Sequence, residues 1–197
     1  IALSQWEPSP DGQVLAYALS DGGSDWNSWH FRQTSDGQEL PDTLRYSKFF
    51  PVAWAHDGKG VYYSRYPERD GRGDDAGRPD VYFHQLGTPQ SADALVYRVT
   101  DHATRVPSAE VTRDGRYLII SLFDGYQQNG VDLLDLRLPA ANPRPLLSAW
   151  DALYTFIGSR DDELYFQTTN GAPLGRVIAL PADDPAPSRW RTVVPES

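Results

Sequence analysis

The chain has 197 residues, a net charge of −9, and no Cys and no Met. The missing Cys excludes disulfide scaffolds, thiol catalysis and cysteine zinc sites. The acidic balance argues against nucleic-acid and anionic-membrane partners, which need clustered Lys and Arg, and no apolar run approaches the roughly 20 residues that span a bilayer.

A repeated hairpin pattern runs through the chain. Each of four segments has an apolar lead, an acidic turn and an apolar strand: QWEPSPDGQVLAYAL, VAWAHDGKGVYYSRY, AEVTRDGRYLIISLF and FIGSRDDELYFQTT. The turns contain Asp11, Asp57, Asp114 and Asp161, and Asp-Gly is typical of hairpin turns. The fourth segment has Asp162 in place of Gly, which we expect to adopt the left-handed conformation less readily.

Two further predicted strands follow each hairpin. They cover 28–32 and 39–40, 81–86 and 94–99, 131–136 and 145–147, and 176–180 and 190–194. Residues 14–19 and 117–122 are almost continuously apolar, which predicts strands covered on both faces.

Four antiparallel strands in about 45 residues match the size of one β-propeller blade. The sequence therefore predicts an all-β chain of four consecutive four-stranded blades, approximately 1–46, 47–102, 103–150 and 151–197.

The second repeat carries a charged, Gly-rich insertion between residues 68 and 79. Its three aspartates, Asp70, Asp74 and Asp75, invite comparison with a calcium loop. The spacing does not fit that motif, and the closing Glu is missing. We interpret the insertion as a solvated loop.

The histidines lack the spacing of metal ligands. His30, His56, His84 and His102 are far apart in sequence, whereas ligand pairs usually recur within a few residues. We expect structural or surface roles for them, with no metal and no cofactor. The recurring Trp and Tyr residues of the repeats are expected to pack between blades.

Two segments go beyond generic hairpin chemistry: AWAHDGKG at 53–60 and LGTPQS at 86–91. Together with KFFPVAWAHDGKGVYYSRYPERDG and AEVTRDGRYLIIS, they resemble the propeller of the prolyl oligopeptidase family. The similarity runs in order over essentially the whole chain.

The resemblance implies a serine peptidase with an α/β-hydrolase domain and a seven-bladed propeller that gates access. Such enzymes cleave short peptides on the carboxyl side of proline, so proline-containing peptides, the hydrolase domain and further blades are the implied partners. This sequence has no G-x-S-x-G elbow, and we expect no catalytic residue in it and no activity on its own. The first residue, Ile1, and the missing Met fit a part of a longer protein.

The same resemblance implies four substrate-contacting positions. Phe49 matches an aromatic residue that lines the peptide pocket near the proline site. Val106 and Tyr126 match two further pocket positions, where animal members commonly have Met and Cys. Phe123 stands where those members have an Arg that holds the substrate backbone. These differences predict a reshaped, more apolar outer subsite.

The sequence leaves two other functions open. A propeller can be a non-enzymatic protein-binding scaffold, or a metal-dependent lactonase with central carboxylates. The second needs converging acidic residues from several blades, and no consistent carboxylate marks equivalent positions. We expect a cytoplasmic location, with the periplasm as the alternative, and self-association of the isolated chain through unpaired blade faces.

Overall fold

A computed structural model describes residues 1–68, 77–100, 102 and 104–197. The aspartates of the insertion, Asp70, Asp74 and Asp75, lie outside these residues. The described part is almost entirely β-structure, with two single-turn 3-10 helices at Gln90–Ala92 and Pro187–Arg189. None of the described helices has the length and apolarity needed to cross a membrane.

The strands form four four-stranded sheets, as the repeat predicts. The first contains β1 (Ala2–Pro8), β2 (Val14–Ser20), β3 (Trp26–Gln33) and β4 (Glu39–Lys48). The second contains β5 (Ala53–Trp54), β6 (Gly60–Arg65), β7 (Asp80–Gln85) and β8 (Ala94–Tyr97). The third contains β9 (Val106–Val111), β10 (Tyr117–Phe123), β11 (Asn129–Asp135) and β12 (Arg144–Leu147). The fourth contains β13 (Tyr154–Arg160), β14 (Glu163–Thr168), β15 (Arg176–Pro181) and β16 (Arg191–Val194).

In every sheet, each strand lies beside the next strand of the sequence. This order is that of an antiparallel meander, the topology of a propeller blade. The chain divides into two compact units, Ile1–Val111 and Thr112–Ser197.

In the first unit, one face of the first sheet packs on the second sheet. The largest fully buried side chains of this core are Trp29, Phe31, Leu44 and Tyr63. Burial alternates along β2, so this strand is fully buried on one face and half-buried on the other. The expectation that residues 14–19 are covered on both faces is wrong, because the residues on the outer face of β2, Leu15, Tyr17 and Leu19, are only half-buried.

In the second unit, the core lies between the strands of the third and fourth sheets. Its fully buried members include Ile119, Leu133, Phe166 and Ile178. All but the last residue of β10 are buried, which confirms the expectation of a strand covered on both faces at 117–122.

An amide side chain joins two sheets of this unit. Asn129 Nδ2 donates to the carbonyl of Tyr154 at 3.0 Å, and the amide of Tyr154 donates to Asn129 Oδ1 at 2.7 Å. The pair of bonds reproduces a β-bridge, with a side-chain amide in place of one peptide group. Asn129 is fully buried, so these bonds satisfy polar groups that water cannot reach.

The repeated aspartates stabilise their turns through hydrogen bonds. Asp114 Oδ1 accepts the hydroxyl of Thr112 at 2.7 Å and the amide of Arg116 at 3.1 Å. Asp11 does the same with Ser9 and the amide of Gln13. In these turns the following glycine has the positive φ, +71° at Gly115.

The fourth turn is shorter than the others. Arg160 pairs directly with Glu163, and Asp161 has a φ of +55°. The left-handed residue is therefore Asp161, and the expectation that Asp162 takes this role is wrong. Two residues close this loop, so the positive φ falls on its first residue.

Candidate functional site

Phe49 lies directly after β4, in a strained segment. Tyr46 and Phe49 have φ angles of +62° and +64°, which are unfavourable for bulky residues and persist only where neighbours hold them. The amide of Tyr66 donates to the carbonyl of Tyr46 at 2.8 Å, and Gln5 Nε2 donates to the carbonyl of Phe49 at 2.9 Å. With its backbone held in this way, Phe49 leaves 53% of its surface exposed.

Lys48 lies among aromatic rings next to Phe49. Its Nζ is 4.1 Å from the ring centroid of Trp26, 5.6 Å from that of Tyr66 and 5.9 Å from that of Phe49. Trp26 and Tyr66 pack edge to face at 5.4 Å. Cation–π and aromatic contacts of this kind order the side chains around Phe49. Sequence reasoning missed Trp26, Lys48 and Tyr66, since only the pairing of β3 with β4 brings Trp26 opposite Lys48.

Val106 begins β9 and is half-buried. The next residue, Pro107, accepts a 2.5 Å hydrogen bond from the buried hydroxyl of Ser64 near the end of β6. Tyr66, two residues after Ser64, donates its amide proton to the carbonyl of Tyr46 in the segment that leads to Phe49. Hydrogen bonds at and just after the carboxyl end of β6 therefore reach both the residue next to Val106 and the backbone that precedes Phe49.

Phe123 and Tyr126 belong to the second unit. Phe123 ends β10, pairs with Asn129 and is half-buried. Tyr126 lies in the loop between β10 and β11 and is 96% exposed. Contact of these four residues with a substrate stays a prediction.

A buried histidine joins the first two sheets. His84 on β7 is 1% exposed, and its Nδ1 lies 2.7 Å from Oδ1 of Asp93. Its Nε2 lies 3.1 Å from Oδ1 of Asp42 on β4. Burial opposes the charged form of His84, but the hydrogen bonds to Asp93 and Asp42 outweigh it and raise the pKa of the imidazole above its ordinary value.

The network continues through the loop of the LGTPQS motif. Tyr63 donates its hydroxyl proton to Asp93 at 2.6 Å and accepts from Gln90 Nε2 at 2.8 Å. Gln90 also binds the backbone of Arg45: the Arg45 amide donates to Oε1 at 3.2 Å, and Nε2 donates to the carbonyl at 3.0 Å. Burial and the bond to Asp93 raise the pKa of Tyr63 well above its usual range. Sequence reasoning singled out the motif but missed this role.

This cluster is not arranged for metal binding. Asp42 and Asp93 contact opposite nitrogens of the imidazole, so the three groups do not converge on one point. Within residues 1–68, 77–100, 102 and 104–197, no group of three or more His, Asp or Glu residues could hold a metal ion.

Four consecutive antiparallel meanders with loop-borne aromatic residues define a β-propeller protein. The family model described as "Prolyl oligopeptidase, N-terminal beta-propeller domain" matches residues 1–197. The chain belongs to this family. This match confirms two predictions from the sequence: the family resemblance and the propeller fold.

The chain is similar to enzymes from fungi and bacteria. It is 32% identical to the prolyl oligopeptidase ophP of Omphalotus olearius, over 93% of this chain and 27% of the relative. It is 31% identical to a prolyl endopeptidase of Elizabethkingia meningoseptica, over 94% of this chain and 26% of the relative. The chain thus spans about a quarter of the length of these relatives.

Solved structures agree with this relationship over the whole chain. A structure from a structural and mechanistic study of two prolyl endopeptidases superposes with a TM-score of 0.88 at 34% identity, and the chain covers 28% of it. Prolyl oligopeptidase B of Galerina marginata, bound to a 35mer hydrolysis and macrocyclization substrate, superposes with a TM-score of 0.89 at 26% identity and 29% coverage.

Proposed function

We propose that this chain is the propeller portion of a serine peptidase that hydrolyses short peptides on the carboxyl side of proline. In this role the propeller restricts access and contributes Phe49, Val106, Phe123 and Tyr126 to the substrate pocket. The hydrolase domain and further blades, to a total of seven, complete the enzyme. The nucleophile belongs to the hydrolase domain, since this sequence has no G-x-S-x-G elbow.

The observation that carries the proposal is the family match over residues 1–197. The relatives that support it are named as prolyl oligopeptidases and prolyl endopeptidases. Phe49 adds a physical argument, because an exposed aromatic ring on a strained, hydrogen-bonded backbone is a feature of ligand-binding segments.

The test uses the full-length protein and two chromogenic substrates, Z-Gly-Pro-p-nitroanilide and its Gly-Ala counterpart. We expect hydrolysis of the first at a rate at least one hundred-fold above the second, with loss of activity after reaction with a fluorophosphonate. Equal rates on both substrates, or insensitivity to the fluorophosphonate, would overturn the proposal.

The contribution of the propeller is tested separately with Phe49→Ala. We expect KM to rise about ten-fold with little change in kcat, because a lost ground-state contact weakens binding uniformly. The rate of fluorophosphonate labelling should stay unchanged. An unchanged KM would remove Phe49 from the pocket without affecting the proposed reaction.

The non-enzymatic scaffold is not favoured, because the family match is to a peptidase domain.

We also propose a cytoplasmic location, with the periplasm as the alternative. Fractionation of the source cells against marker enzymes tests this location. The proposed self-association of the isolated chain draws on the exposed Leu3 and Trp6 of β1 and on the preceding Ile1. Sedimentation as a sharp monomer with cooperative unfolding at high temperature would contradict it.

A further inference from the structure

The hydrogen-bond directions around His84 can be followed from backbone donors, whose protons are fixed. The Arg45 amide must donate, so it fixes Oε1 of Gln90 as acceptor and Nε2 as donor. Nε2 then donates to the hydroxyl oxygen of Tyr63. The Tyr63 proton is therefore directed to Asp93, whose carboxylate accepts it.

The same reasoning applies at the other end of the imidazole. The amide of Gly87 donates to Oδ1 of Asp42 at 2.5 Å, and the same oxygen lies 3.1 Å from Nε2 of His84. Asp42 and Asp93 thus each accept from a fixed donor, and a carboxylate has no proton to give to the ring. Each ring nitrogen must carry a proton to bond its carboxylate, and only the imidazolium has two.

The remaining groups around the imidazole balance its charge. Arg65 on β6 has its Nη1 3.9 Å from Oδ2 of Asp93 and lies over the ring of Tyr82 on β7. Phe31 on β3 stacks on the imidazole at 6.3 Å between ring centroids. Two cations, His84 and Arg65, therefore face two carboxylates. The side chains of His84, Asp42 and Asp93 are almost fully buried, where such bonds are strong, whereas the Arg65 side chain is 26% exposed.

We propose that His84 is a positioning residue that works as an imidazolium. It ties Asp42 of the first sheet to Asp93 of the second, and through Tyr63 and Gln90 it holds the backbone of Arg45, four residues before Phe49. Only the last link, from the held backbone to substrate binding, rests on the proposed function.

The proposal has a defined pH dependence. A folded-state pKa above the unfolded value means that the bonds of His84 stabilise the fold fully below the ordinary pKa of about 6.5 and lose effect as the pH rises through the folded value. Above that value only one ring nitrogen carries a proton, so one of the two carboxylates loses its bond. Phe49 is then held less firmly.

Two measurements on the full-length protein test the positioning role. The ¹⁵N chemical shifts of His84 should show both nitrogens protonated at pH 6.5. Amide exchange of peptides from residues 41–50, corrected for the intrinsic rate, should rise at least ten-fold in His84→Gln at pH 6.5. His56→Gln, at an exposed turn residue, is the matched control and should exchange like the parent protein.

The outcomes separate cleanly. A neutral imidazole at pH 6.5, or a folded His84→Gln protein with unchanged exchange at 41–50, overturns the proposal. If His84→Gln does not fold, a pH series on the parent protein tests the proposal instead. Amide exchange at 41–50, corrected for the intrinsic rate, must rise over the pH range in which His84 loses its proton. Exchange that stays constant over that range overturns the proposal. In a protein that cleaves after proline, KM should rise over the same pH range, whereas failure to cleave overturns the proposed function and leaves the exchange result standing.

Discussion

The indole nitrogen of Trp54 donates a 2.9 Å hydrogen bond to the main-chain carbonyl of Glu7. This bond joins β5 of the second sheet to β1 of the first. The Trp54 ring is nearly buried and packs edge to face on Phe31 at 5.8 Å. One side chain thus supplies both apolar contact and a directional bond between two sheets.

Trp54→Phe should lower the free energy of unfolding by about 1 kcal/mol, because it removes the hydrogen bond and keeps most of the ring contact. Trp54→Ala should cost about 3–5 kcal/mol, since a large buried side chain is lost. Urea unfolding of the protein measures both. Trp6→Phe is the control: Trp6 is also a tryptophan of a first blade strand, β1, but is 60% exposed, so its change should stay within about 0.5 kcal/mol.

Gly60 and Gly58 should respond to alanine in different ways. A Cβ at Gly60 would lie 2.4 Å from the carbonyl oxygen of His84 and 2.5 Å from the ring of Phe83, so Gly60→Ala should cost about 3 kcal/mol or more. Gly58 has a φ of +69° and no contact closer than 3.8 Å, so Gly58→Ala should cost about 1 kcal/mol from strain alone. Thermal unfolding of the two variants gives the comparison, and equal losses would contradict it.

Asp114 should contribute to acid stability. Burial acts against its charged form, but hydrogen bonds from Thr112 and the Arg116 amide, with the charge of Arg137, lower the pKa of Asp114. A depressed folded-state pKa gives stability that is present above the ordinary value of about 3.9 and is lost as the pH falls through the folded value.

Asp114→Asn should therefore flatten the stability profile below pH 4. The cost at pH 7 should be about 1 kcal/mol or less, because the carboxylate is 44% exposed and solvent screens it. Unfolding curves between pH 2 and pH 7 provide the test. Asp183→Asn, in an exposed loop, controls for the loss of one charge, and an unchanged acid limb in Asp114→Asn would refute the assignment.

Phe123→Arg should change selectivity at substrate positions beyond proline. An arginine at the end of β10 restores a charged group where the proposed pocket is now apolar, so kcat/KM should shift about ten-fold toward peptides with acidic side chains. Kinetics of the full-length protein with a peptide panel measures the shift. Leu138→Arg, at an exposed site of the same unit, is the control, and unchanged selectivity in Phe123→Arg would contradict the apolar outer subsite.

Much of the fold could be predicted from the sequence because its signals are local. The Asp-Gly turns and the alternating strands after them indicate each hairpin within about 15 residues. The length of β4 was not predicted: only residues 39–40 read as strand, yet the strand continues to Lys48 through Pro41 and Asp42. Pro41 is tolerated at a sheet edge, where its missing N–H breaks no ladder.

Less of the candidate site than of the fold could be predicted from the sequence. Phe49 was found through a resemblance, whereas the network of His84 was not found at all. Asp42 lies 42 residues from His84 and on another sheet, so no spacing rule connects them. Burial decides their role, and only the packing of the two sheets reveals that His84 and both carboxylates are enclosed.

The Asn129 bridge makes the protein sensitive to chemical ageing. Asn129 is followed by Gly130, and a Cβ at Gly130 would lie 2.8 Å from the ring of Trp150. The amide bridge requires the asparagine and the ring requires the glycine, so the chain keeps an Asn-Gly sequence, a site where asparagine readily deamidates. The native hydrogen bonds hold this amide in place, and the aspartate formed after opening could no longer donate to Tyr154. Each transient unfolding event thus exposes Asn129 to irreversible deamidation, which would remove a hydrogen bond between the third and fourth sheets.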